Sequence, residues 1–250
     1  MDKYDLDQLI LSPQYHSVEN GSLEWFINLF PEIDPLKIKN RFNGIYKREK
    51  KRKEYEKIHW DIYQLTTQNS KRLKYIYTLS SDNKNLLKKL HDDYTARQFS
   101  AIKINGLLHN PLSNDRGLDN IINFCKTNRL PLFIYVYQKK EAEYIYDLAL
   151  NHLDNIFVVA SMSGLEYFEY HAHMPPNLMC ELTNLKLVSE YRLLKALNIF
   201  GPQSLLFSYE AINEKNLYFA ISRIMNLAIP DNIKKMILSQ NSNKLFSQKK

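Results

Sequence analysis

Apolar positions in this chain fall in short continuous runs rather than strict alternation, and helical stretches separate them. The runs are Asp7–Ser12, Leu73–Leu79, Ala101–Asn105, Leu132–Tyr137, Ile156–Ser161, Leu178–Leu182 and Leu205–Glu210. A strand that is apolar on both sides is covered on both faces, which is the habit of parallel sheets. Between the runs the spacing predicts helices from about Arg116 to Asn128, from Lys139 to Leu150 and from Val188 to Ile199. Ser81-Asp-Asn reads as a cap ahead of Leu86, Leu87 and Leu90. Two more helices finish the chain. Repeated strand–helix units of this kind predict βαβ crossovers and a parallel sheet.

The length of 250 residues suits one large domain, and 44% hydrophobic content supplies a substantial core. No apolar stretch approaches the roughly 20 residues that span a bilayer, so no membrane association is expected. The acidic, polar start Met1-Asp-Lys-Tyr-Asp-Leu-Asp7 is not expected to be a secretory signal. Cys125 and Cys180 sit in expected helix and strand interiors without metal-ligand spacing. They read as reduced, buried thiols of a cytoplasmic protein. Six glycines leave no glycine-rich phosphate loop.

The net charge of +7 changes the picture less than its size suggests. Much of the excess lies in Lys47-Arg-Glu-Lys-Lys-Arg-Lys53, interleaved with Glu49, Glu54 and Glu56. That run belongs to a charged helical region from about Ser22 to Thr66, broken near Pro31–Pro35. Glu-to-Lys pairs at helical spacing stabilise a solvated helix surface. The other reading is a helix that docks an acidic partner. No nucleic-acid motif accompanies the run, so nucleic acid is not the expected partner.

In order and spacing the segments resemble the amidohydrolase-related family of metal-dependent barrel hydrolases and decarboxylases. The resemblance runs from the start of the chain to Phe246. It rests on Pro131-Leu-Phe-Ile-Tyr135, Val158-Val-Ala-Ser-Met-Ser-Gly164 and Phe207-Ser-Tyr-Glu210. The expected fold is α/β, a TIM-like (β/α) barrel in a single domain over residues 1–250, with the charged helical region at about 35–68 as an insertion. The resemblance also implies that the barrel is incomplete. Seven strands are present, and the family's opening strand with its His-x-His pair has no counterpart. Either the reading frame starts late, or the protein is a naturally truncated relative, or another segment or chain, a second copy among them, covers the open edge.

The same resemblance implies a dismantled metal cage. Tyr135 stands where the family has a His ligand, and Ser161 stands where it has a second His. Glu210 takes the place of the last-strand Asp and is the one matching ligand. Tyrosine titrates near 10 and makes a poor zinc ligand, and a serine hydroxyl is worse. No metal is therefore expected, unless zinc or another divalent ion is held by a site completed from elsewhere.

Lys103 matches the Lys of the family's Gly-Ile-Lys segment, and Ala101 stands for the Gly. Arg72 matches an Arg with a structural role. His109 and His16 lie in loops on the active-site face, whereas His171 and His173 precede Pro175-Pro-Asn177 on the opposite face. The candidate catalytic residues are thus Glu210, Lys103 and His109, with Tyr135, Tyr137 and Ser161 as the candidate binding set. Met162 and Tyr167 near the same mouth read as packing.

A carboxylate and an ammonium meeting at the mouth either bind a small polar ligand as acid and base or form a buried salt bridge that seals a dead site. The leading function is a degenerate relative retained for small-ligand binding or as a subunit. The alternative is a hydrolase or decarboxylase acting on a small carboxylate or amide.

Overall fold

A computed structural model describes residues 9–11, 48–68, 73–79, 86–104, 115–183, 185, 188–208 and 214–247. Seven parallel strands lie side by side in chain order. They are β1 (Leu9–Leu11), β2 (Leu73–Leu79), β3 (Ala101–Ile104), β4 (Leu132–Ile134), β5 (Phe157–Val159), β6 (Leu178–Leu182) and β7 (Leu205–Phe207). The helices between them are α1 (Arg48–Gln68), α2 (Leu86–Arg97), α3 (Asp115–Asn128), α4 (Lys139–Asn151), α5 (Leu165–Phe168) and α6 (Glu190–Phe200). After β7 come α7 (Glu214–Met225), α8 (Asp231–Lys235), a π turn over Met236–Gln240 and α9 (Asn241–Ser247). This is the incomplete (β/α) barrel expected from the sequence, with β1 and β7 outermost among the described strands.

Alternation along the strands sorts their side chains into two apolar cores. Tyr75, Tyr77, Ile102, Ile104, Leu132, Ile134, Phe157, Val159, Cys180 and Leu182 face outward. They pack against helical residues such as Ile121, Ile122, Ile145, Ala149 and Leu193. Ile76, Ala101, Phe133, Val158 and Leu206 face inward and form a smaller core with Leu245 of α9. Asn241 anchors α9 by donating to the Pro202 and Leu205 carbonyls at 2.7 and 2.8 Å, at the amino end of β7. The inner core is therefore closed from that end, and the carboxyl ends of the strands make the other mouth.

Two of the expected strands stop early, each for a local reason. The Val136 amide donates to Ser163 Oγ at 2.7 Å, and the Tyr137 amide donates to the Glu141 carboxylate at 2.6 Å. The Tyr135 amide still donates to the Ile104 carbonyl of β3 at 3.3 Å, and the two amides after it are taken by side chains rather than by a neighbouring strand. Glu141 also accepts from the Gln138 amide at 3.0 Å and completes the capping box of α4. Beyond Val159 the chain enters a 3-10 turn over Ala160–Met162, so Ser161 is not a strand residue. That corrects the expected strand Ile156–Ser161.

α1 is the described part of the expected charged insertion; residues 35–47 lie outside the described residues. The helix is fixed to the sheet through His59, which is buried, hydrogen-bonds Tyr75 through Nδ1 and sits 4.7 Å from the Tyr77 ring. Tyr77 in turn donates to Asp93 of α2 at 2.6 Å. Cys125 and Cys180 are free and buried, as expected, and burial pushes both thiols well above their ordinary range. Among the described residues no helix is long and apolar enough to cross a membrane.

Candidate functional site

Register places the candidate residues at one mouth. Lys103 lies opposite Thr78 and Phe133, Phe133 opposite Val158, and Val158 opposite Met179. Two residues further along β6, on the same inward face, is Glu181; two beyond Phe133 is Tyr135. A lysine stem is long enough to climb from its own row to the next. The Lys103 ammonium accordingly meets the Glu181 carboxylate at 3.2 Å and lies 5.0 Å from the centre of the Tyr135 ring. Both charged side chains are buried, with 4% and 5% of their side-chain surface exposed.

Ser161 completes this cluster from a left-handed backbone. Its φ is 58°, and Met162 after it has φ 50°. Non-glycine residues pay roughly 1–2 kcal/mol for that region, so two in succession need external support. Several contacts supply it. The Ser161 amide donates to Glu181 Oε2 at 3.2 Å, the same oxygen that meets Lys103. Arg192 of α6, itself buried, donates from Nη2 to the Met162 carbonyl at 2.7 Å. Ser163 Oγ holds Val136, and Gly164 continues the turn at φ 60° where a Cβ would strike Val136 Cγ1 at 2.5 Å.

The turn aims Ser161 Oγ at the Tyr135 hydroxyl, 3.5 Å away. Tyr135 and Tyr137 lie parallel, with 4° between their planes and 6.1 Å between centroids. Both are half-buried and line the mouth above the ion pair. The site is an acid–base pair on rigid strands, flanked by phenol and serine hydroxyls.

The sequence-based candidates divide cleanly. Lys103, Tyr135, Tyr137 and Ser161 converge. Glu210, His109, His16 and Arg72 lie outside the described residues. The carboxylate set against Lys103 is Glu181, which the sequence reading passed over inside Leu178-Met-Cys-Glu-Leu182. Its signal was available: a charge at an inward position of an otherwise apolar strand needs a partner. His171 and His173 stand in the turn before β6, away from this mouth. The His171 ring stacks on Tyr146 at 3.8 Å, and the His173 carbonyl accepts from the Tyr146 hydroxyl at 3.0 Å. Met162 is packed in the core, and Tyr167 packs against it.

Among the described residues the site's donor set does not fit a divalent ion. Among the described residues no three His, Cys, Asp or Glu side chains are grouped to hold one. Glu181 is the carboxylate at the mouth, and its Oε2 already carries an ammonium and an amide hydrogen. A cation brought to that oxygen would face the Lys103 charge at close range. Tyr135 and Ser161 offer neutral hydroxyls.

Solved structures of similar shape bear on the fold. A dihydroxybenzoic acid decarboxylase from a Polaromonas species, with bound manganese and the inhibitor 2-nitroresorcinol, matches with a TM-score of 0.59 and 13% identity. The match covers 98% of this chain and 98% of that one. The fold is that of the amidohydrolase-type barrels. The 2,6-dihydroxybenzoate decarboxylase from Rhizobium matches with a TM-score of 0.57 and 14% identity, over 77% of this chain and 76% of that one. A candidate amidohydrolase from Staphylococcus aureus has a TM-score of 0.57 and 11% identity, over 76% of this chain and 79% of that one. No protein-family model matches the chain, and no curated protein matches it by sequence.

Proposed function

We propose that this amidohydrolase-type barrel is a degenerate relative of the metal-dependent enzymes, retaining the mouth for binding a small polar ligand without metal-dependent hydrolysis. The observation that carries this reading is the buried Lys103–Glu181 pair at 3.2 Å, flanked by Tyr135 and Ser161. An ion pair sealed from water is costly to assemble, and replacing it by apolar side chains is often neutral or better for stability. Its presence at the mouth therefore fits a role in recognition. Lys103 offers positive charge to a ligand carboxylate, the Tyr135 and Tyr137 rings offer apolar area, and Ser161 offers a hydroxyl.

Calorimetric titration in the presence of a chelator tests the reading. With 2,6-dihydroxybenzoate as probe, binding that survives the chelator and is lost in Lys103→Met is expected. Binding that appears on adding manganese and is indifferent to Lys103 would overturn it.

A second reading is a decarboxylase whose ion is held with help from Glu210. It is favoured by the manganese bound in decarboxylases of this fold. Manganese-dependent release of carbon dioxide from 2,6-dihydroxybenzoate or 5-carboxyvanillate would select it over the first.

A further inference from the structure

Lys103 combines four properties that a lysine nucleophile needs. It stands on a strand rather than a loop, so its stem is held in place by the sheet. It is buried, with 4% of its side chain exposed, so the amine is shielded from bulk water. A carboxylate lies 3.2 Å from Nζ, placed to receive a proton. Tyr135 and Ser161 bring two hydroxyls together beside it, with 3.5 Å between their oxygens.

We propose that the Lys103 amine forms an imine with a small aldehyde or ketone at this mouth. The inference rests on the reading above, that the mouth works without a metal, and adds a covalent chemistry to it. Lys103 passes one proton to Glu181, and the neutral amine attacks the carbonyl carbon. A carbon–nitrogen bond forms as the carbonyl π pair moves to oxygen, which takes a proton from the Tyr135 hydroxyl. Tyr135 recovers that proton from the nitrogen through Ser161. The carbinolamine hydroxyl then takes the proton held by Glu181 and leaves as water. The oxygen has departed with two of the three original ammonium protons, and the third stays on a protonated imine.

Charge bookkeeping favours the site. An ammonium facing Glu181 becomes an iminium facing Glu181, so the buried carboxylate keeps a positive partner before and after. No new charge has to be desolvated, the cost that makes unpaired buried ions so unfavourable. Ser161 holds Glu181 through its backbone amide, whose left-handed conformation Arg192 supports from α6.

Reductive trapping tests this on the full-length protein. The chain is incubated with pyruvate or acetaldehyde and cyanoborohydride, and modified lysines are mapped by peptide mass spectrometry. The exposed Lys126 and Lys139 serve as internal controls. Lys103 is expected to be trapped at least tenfold faster than either at pH 7. Because the proton passes to Glu181 within the pair, its rate should fall less between pH 8 and pH 6 than the rates at Lys126 and Lys139 do. Glu181→Gln should slow trapping at Lys103 tenfold or more, and Tyr135→Phe, which keeps the ring, should slow it several-fold. Trapping at Lys103 no faster than at Lys126 in the unaltered protein would overturn the proposal, whatever the variants do. If chelator-resistant ligand binding persists in that case, the amine chemistry fails and the binding reading stands. If an ion occupies the mouth, both fail.

Discussion

Lys103 of β3 and Glu181 of β6 meet inside the sheet although two strands stand between them in the hydrogen-bonded order. The contact closes across the curved inner face, from an ammonium that climbs toward the carboxyl ends to a carboxylate already there. Truncating either partner leaves the other charge buried, at a cost of about 3–5 kcal/mol. Lys103→Met and Glu181→Leu should each lower the urea midpoint sharply, and the double variant should recover most of the loss. A double variant as unstable as the sum of the singles would mean that the pair is not coupled.

His59 ties α1 to the outer core, and its burial lowers its pKa from 6.5 to about 3, with Arg97 adding to the effect. The folded chain thus refuses a proton that the unfolded chain accepts between those values. Stability contributed by the neutral ring is present above pH 6.5 and is lost as pH falls toward 3, by up to about 1.4 kcal/mol per pH unit. Urea melts at pH 7, 5.5 and 4.5 should show this slope, and His59→Phe should be flatter by one proton. Equal slopes in both proteins would remove His59 as the cause.

Arg192 is buried in α6 and holds the turn that presents Ser161. Arg192→Leu strips the Met162 carbonyl of its donor and the Glu166 carboxylate of its 3.6 Å partner. A loss of about 1–3 kcal/mol is expected, the usual cost of a buried acceptor left unsatisfied. Arg192→Lys should recover part of it. Melting temperatures of the two variants indistinguishable from the parent would show that the turn holds itself.

Gly164→Ala meets two obstacles at once, a Cβ 2.5 Å from Val136 Cγ1 and a φ of +60°. The left-handed backbone contributes roughly 1–2 kcal/mol, and the overlap adds to it. Val136→Ala in the same chain should relieve the worst overlap and leave the backbone strain, with the contacts to Val136 Cβ at 3.0 Å and Tyr167 Cδ2 at 3.1 Å still tight. A Gly164→Ala protein as stable as the parent would mean that the turn has another accessible conformation.

The sequence made the scaffold readable and the site only partly so. β2 and β6 begin and end where their apolar runs do, because nothing beyond hydrophobic continuity sets their limits. β4 and β5 are shorter than their apolar runs because Ser163 and Glu141 capture the Val136 and Tyr137 amides, and the turn at Ser161 is set by contacts from β6 and α6. Such captures depend on residues distant along the chain and leave no periodic trace. Lys103, Tyr135 and Ser161 were identifiable because the resemblance fixed their places at strand ends. Glu181 has no place in that pattern, and its signal is instead a charge inside an otherwise apolar strand, which does not say what partner it meets.

Under the proposed reading this barrel has kept its scaffold while the donors for an ion have been replaced. Metal content per chain, measured by plasma mass spectrometry after dialysis against manganese or zinc and then metal-free buffer, tests it most directly. Well under one equivalent, unchanged in Glu210→Ala, is expected. One tightly held equivalent that disappears in Glu210→Ala would contradict it.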